Sequence, residues 1–146
     1  MRKMAMIIAT ISLMGMVGAN AADKGKQSGS KAEHAAKVDI DQRIRDINRL
    51  DNKESARLAG LRAVSQETGV RVPVLEAQQK AHPKVGIAGL LVVNEIAVHN
   101  KKEASDILKS HSEGHTWVEI ARSHGESLET LDAKLNRVEA AIKGGP

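Results

Sequence analysis

The run VGIAGLLVVNEIAV at residues 85–98 narrows the fold more than any other stretch of the chain. Ile87, Leu90, Leu91, Val92, Val93, Ile96 and Val98 surround a helix on nearly every side and leave no polar stripe. A helix of that kind is buried on all faces. At about 14 residues, with Asn94 and Glu95 inside it, the run falls short of the roughly 20 apolar residues that a membrane span needs. Its β-branched residues make a strand the competing assignment. The run does not alternate, however, and no partner strand is evident elsewhere. The reading is a central helix with other helices packed around it.

The flanking sequence supplies those helices. From Val38, Ile40, Ile44, Ile47 and Leu50 recur at helical steps. Asp51 and Asn52 are good cap residues for a second helix carrying Leu58, Leu61 and Val64 and closing at Gly69. Pro73 suits the first turn of a short helix that runs to about His82 and is ended by Pro83. Residues 103–112 read as another helix, with Ile107 and Leu108 apolar and Gly114 at its end. Thr116 and Glu119 have capping-box spacing for a helix through Trp117, Ile120 and Ala121, closed by Gly125. Ser127 caps the last helix, where Leu128, Leu131, Leu135, Val138 and Ile142 form one narrow stripe. The expected fold is all-α: a bundle of five to seven short helices over 38–143, with residues 144–146 as a tail.

The N-terminus reads as an address. Met1-Arg2-Lys3 is followed by an uncharged stretch from Met4 to Ala22 that ends in Ala19-Asn20-Ala21. This is the three-part pattern of a secretory signal peptide, with cleavage after Ala21; the stretch is also long enough for a transmembrane anchor, but Gly15, Gly18 and the Ala-Asn-Ala exit favour cleavage. It places the chain in the periplasm or outside the cell and not embedded in the membrane once cut. Losing Arg2 and Lys3 lowers the formal charge from +4 to +2, and all five Met residues leave as well. With no cysteine in the chain, lipid anchoring at the cleavage site, disulfides, thiolate metal sites and a cysteine nucleophile are excluded. Residues 22–37 form a polar arm rich in Gly, Ser and Lys, too poor in apolar surface to pack.

Two segments echo one another at an offset of 33 residues: Val74-Leu75 with Ile107-Leu108, His82 with His115, Val85 with Val118, Ile87 with Ile120, and Ala88 with Ala121. Each unit reads as a short helix, a turn holding a histidine, and a second helix. Between Glu67 and Ala141, four segments stand out. They are Glu67-Thr68-Gly69-Val70, the run from His82 to Leu91 (HPKVGIAGLL), Trp117-Val118-Glu119-Ile120-Ala121, and the run from Leu131 to Arg137 (LDAKLNR). In these the chain resembles a group of small exported bacterial helical proteins of unassigned function. The resemblance covers about half the chain. It implies an exported helical domain and no particular activity.

Several constellations bear on function. Trp117 to Arg137 has the outline of a helix-turn-helix, with Gly125 in the turn. Glu129 and Asp132 stand where phosphate contact wants Lys or Arg, and Glu126 replaces the usual apolar residue after the turn glycine. One Trp and no Phe or Tyr argue against a base-stacking platform, which needs several aromatic rings. His111 and His115 are four apart, with His124 beyond, and histidines one turn apart can share a divalent metal. Gly114 breaks the helix between them, so the competing reading is a set of solvated or turn-capping histidines. Trp117 at a helix start reads as a core anchor. The helix from Val38 to Leu50 either packs on its own domain, against the last helix, or presents its apolar face to a partner. No G-x-S-x-G, phosphate loop or H-E-x-x-H occurs, so the sequence reads as non-catalytic, with no cofactor. The leading expectation is an exported protein acting through contacts with an envelope or secreted protein, or with itself. The second is divalent-metal binding by His111, His115 and His124. The third, nucleic-acid binding, requires that residues 1–21 not be a signal.

Overall fold

The computed structural model describes residues 40–144, which form seven helices and no strand. Residues 1–21, read above as a signal, residues 22–37, read as an arm, and tail residues 145–146 lie outside the described residues. The helices are α1 (residues 40–48), α2 (Glu54–Thr68), α3 (Val72–Ala81), α4 (Gly86–Asn100), α5 (Ala104–Ser112), α6 (Trp117–Ser123) and α7 (Leu128–Lys143).

The apolar run at 85–98 is helical, as α4, and every residue from Ile87 to Ala97 is buried. Val98 is the exception: expected among the enclosed residues, it is 54% exposed. The helix continues two residues further, to Asn100, and stops at Lys101, a non-glycine residue with φ 52°. The Lys102 N–H then reaches back to the Ala97 carbonyl at 2.9 Å. This is a left-handed helix ending of the kind usually given to glycine. No single described helix is long and apolar enough to cross a membrane.

The two asparagine polar breaks inside α4 have different fates. Asn94 is buried and exchanges amide hydrogen bonds with Gln78 of α3, at 2.7 and 3.1 Å. A buried amide needs such partners, and here they fix the register of α3 on α4. Asn100, at the helix end, donates to the Ile96 carbonyl and to Glu126.

Among α2 to α7, the most extensive packing is between α2 and α7. The α7 stripe of Leu131, Leu135, Val138 and Ile142 is buried there. Gly60 of α2 lets three helices meet: a Cβ at that position would lie within about 3 Å of Ile87 of α4 and Ile142 of α7. Gly69 ends α2 with φ 75°, its N–H bonded to the Ser65 carbonyl. At the other end of α2 the sequence expectation fails. The residue preceding the first helical turn is Lys53, with no side-chain cap, instead of Asp51 or Asn52. Both of those lie in the turn before it.

The first helix packs on its own domain. Ile40, Ile44 and Ile47 are all buried in the common core, so its apolar face is not offered to a partner. Its link to α7 is polar, through Arg43 to Glu139 at 3.1 Å and Asp132 at 3.4 Å. The stripe of α7 lies in the same buried core and packs on α2 and α4 as well.

Candidate binding groove

Two polar side chains of α1 complete the starts of two other helices. The Asp41 carboxylate accepts the Trp117 N–H at 2.9 Å, at the first residue of α6. Asn48 accepts the Ala88 N–H at 2.8 Å and donates to the Val85 carbonyl at 3.0 Å, at the start of α4. The first N–H groups of a helix have no partner within it, so such caps satisfy them. The cap of α4 therefore comes from 40 residues away. Gly86 makes room for it: φ is +69°, and a Cβ there would lie 2.3 Å from the Asn48 side chain. At the start of α6 the Thr116–Glu119 capping box forms as its spacing indicates.

Between these helix starts lies a cleft of about 520 Å³, bordered by Asp41, Arg45, Lys84, His111, His115 and Trp117. A second depression of about 420 Å³ shares Lys84, Val85 and His111 with it and extends to His82, Pro83 and Leu108. Together they form one groove along α1, the α3–α4 turn and α5. Among all lining residues of the two, Asp41 alone is acidic, and its carboxylate is engaged with α6. Arg45, Lys84 and three histidines give the rim a basic character.

Trp117 and His111 build the floor. The indole is 6% exposed and belongs to the core. Gly89 of α4 lies beneath it, close enough that a Cβ would meet the Trp117 ring at 2.9 Å. The His111 ring stacks on Trp117, with centroids 3.8 Å apart and planes 21° from parallel. His111 Nδ1 lies 3.1 Å from the His115 carbonyl. A carbonyl only accepts, so Nδ1 carries the proton and, in the neutral ring, Nε2 is the free acceptor.

The structure does not bring His111, His115 and His124 together as a metal triad. Gly114, at φ +100°, ends α5 between the first two and removes the shared helix face that their spacing would give. His111 is turned onto Trp117, and His115 lies exposed in the turn. His124 sits at the far end of α6, its Nδ1 against the Ile120 carbonyl at 2.9 Å. Among the described residues the one group of three metal-ligand side chains whose donor atoms all lie within 4.8 Å is Glu95, His99 and Glu126. The sequence reading missed it. The signal was available: Glu95 and His99 stand four apart in one helix, but Glu95 registers as a blemish in an apolar run.

The turn from α6 to α7 passes through Gly125 at φ +72°. Glu126, the polar residue that departs from the helix-turn-helix pattern, is 9% exposed and accepts a hydrogen bond from Asn100 at 2.9 Å. On α7, Lys134, Arg137 and Lys143 all face carboxylates of the same chain, those of Glu95, Glu67 and Glu139.

No family model, curated protein or solved structure matches this chain.

Proposed function

We propose that this protein works by binding another protein and performs no catalysis, and that the groove over Trp117 and His111 is where the partner sits. The observation that carries this reading is the groove itself. It offers the His111 imidazole, braced by the buried Trp117 indole, at the centre of a basic rim. Stacked rings supply rigid contact area at little entropic cost, the usual role of an anchor point in an interface. Arg45, Lys84 and His82 favour an acidic segment as the occupant, since complementary charge steers encounter and register. We place the protein outside the cytoplasm, periplasmic or secreted, from the pattern of residues 1–21, so the partner would be an envelope or secreted protein.

The test is crosslinking in intact cells of the tagged full chain, followed by mass spectrometry, with Arg45→Glu/Lys84→Glu in parallel. Both side chains are exposed, so the double variant keeps the core. The expected result is one stoichiometric partner that is captured by the parent chain and lost from the variant. The reading fails if the variant captures the same partner equally well. It also fails if nothing is captured while the protein is found outside the cytoplasm.

A further inference from the structure

Glu95, His99 and Glu126 come from two elements, α4 and the α6–α7 turn, and their donor atoms lie within 4.8 Å of one another. Glu95 and Glu126 are each 9% exposed, whereas the His99 side chain is 72% exposed. Two carboxylates are thus held at the edge of the core, whose other buried polar residues among those described are the neutral Thr68 and Asn94, under an imidazole that solvent reaches. A shallow depression of about 180 Å³, bordered by Glu67, Thr68, Val98 and Lys134, opens onto Glu95 and His99.

The surroundings are built. Asn100 donates to Glu126 Oε1 at 2.9 Å, which orients the carboxylate, and the Glu126 N–H is tied to the Ala121 carbonyl at 2.9 Å, which fixes the backbone that carries it. His99 Nδ1 already stands 3.0 and 3.2 Å from the two Glu126 oxygens. Tetrahedral ligands at about 2.0–2.1 Å from a zinc-sized ion lie roughly 3.3 Å apart. Glu126 and His99 meet that spacing, and rotation of the long Glu95 side chain supplies the third donor. A cation already sits on Glu95: the Lys134 ammonium is hydrogen-bonded to its Oε1. Lys134 also has a second partner at hand, the Glu67 carbonyl 3.4 Å away, toward which it can withdraw.

We propose that Glu95, His99 and Glu126 form a binding site for a divalent transition metal of the zinc class, and that Lys134 closes it in the metal-free protein. An O,O,N donor set suits such ions and leaves a coordination position open. The two carboxylates balance the ion's charge. In the metal-free protein His99 Nδ1 donates its proton to Glu126, since a carboxylate only accepts; to bind the ion the neutral ring takes its other tautomer, with the proton on Nε2, and the ion replaces that hydrogen bond. Lys134 is then a competitor, because its ammonium and the metal need the same oxygen.

The full chain, freed of any affinity tag and of metal by chelation, is titrated with Zn²⁺ by calorimetry and by thermal melting. The expected result is one ion bound per chain with a rise of several degrees in Tm. His99→Ala, at an exposed side chain, is expected to lose about tenfold or more in affinity while keeping its helical circular dichroism. Lys134→Met, which keeps the apolar stem and removes the competitor, is expected to bind about tenfold more tightly than the parent. His111→Ala is expected to bind like the parent. The proposal is overturned if neither the parent nor Lys134→Met binds Zn²⁺, or if His99→Ala binds as well as the parent. Binding by Lys134→Met no tighter than the parent overturns the closing role of Lys134.

Discussion

Gly86 and Asn48 show how much can hang on one atom. A side chain at Gly86 would have to adopt φ +69° and would also meet the Asn48 amide that caps α4. Left-handed backbone alone costs a non-glycine residue about 1–2 kcal/mol. Gly86→Ala is therefore expected to lose at least that much stability, and Asn48→Ala about 1 kcal/mol through the lost cap. Urea denaturation midpoints measure both. Gly89 and Gly60 make a sharper pair. Each sits inside a helix, where alanine would gain about 0.5–1 kcal/mol of propensity. At Gly60 the added methyl meets the side-chain methyls of Ile87 and Ile142, which can shift; at Gly89 it meets the rigid Trp117 ring and Val85. Gly89→Ala is expected to be destabilising by about 1–3 kcal/mol, as overpacking is. Gly60→Ala is expected to be destabilising by less than Gly89→Ala, because methyls of Ile87 and Ile142 give more readily than a ring, and thermal melts of the two variants side by side decide it. Apart from Val85, four residues before Gly89, these contacts join residues far apart in the chain and are not legible in the sequence. A glycine in an apolar run announces close approach without saying to what.

At the scale of elements, α4 holds the bundle in place because almost none of it faces water. Leu91 is fully buried and Val98 is half exposed on the same helix. Leu91→Ala is expected to cost about 2–5 kcal/mol, against about 0.5 kcal/mol or less for Val98→Ala, read from denaturant midpoints. The identity and order of the helices could be read from periodicity and stop signals, since those are properties of neighbouring residues. Pro73, Gly69, Thr116 with Glu119, and Ser127 all act where local chemistry says they should. The exceptions are instructive. Asp51 and Asn52 have the right chemistry to cap α2, yet the helix starts after Lys53; residues 52–55 are exposed, and an exposed start can be capped by water. The echo at 33 residues holds in burial as well as in type for Leu75 and Leu108, Val85 and Val118, Ile87 and Ile120, and Ala88 and Ala121. It breaks at Val74, which is 40% exposed while Ile107 is buried. The candidate groove was half legible: His111, His115 and Trp117 drew notice as residues. Their grouping with Arg45 and Lys84 depends on how α1 lies across the bundle.

For the molecule as a whole, acid is the condition that the ion pairs make consequential. Arg137 forks onto Glu67 through Nε at 2.6 Å and Nη2 at 2.8 Å, and this pairing holds the Glu67 carboxyl below the usual glutamate value. Lys143, with Arg43 behind it, does the same for Glu139. A carboxyl whose value is lowered by folding adds stability that is fully present above its ordinary value near 4.5 and is lost as pH falls through the lowered one. Burial raises Asp51, which works in the opposite direction over the same range. Tm is expected to fall between about pH 5 and pH 3, with a shallower fall in Glu67→Gln. Differential scanning calorimetry across that range checks the slope, and an unchanged slope in Glu67→Gln would assign the acid sensitivity elsewhere. One further consequence concerns the order in which the chain is made. The cap of α4, and one bond to the start of α6 beside its own Thr116–Glu119 capping box, are carried by α1, which precedes both, and chains emerge N-terminus first. Asn48 and Asp41 are already waiting when each later helix start arrives, so neither exposes its N–H groups for long. A circular permutation that moved α1 to the end would leave the contacts unchanged and reverse that timing.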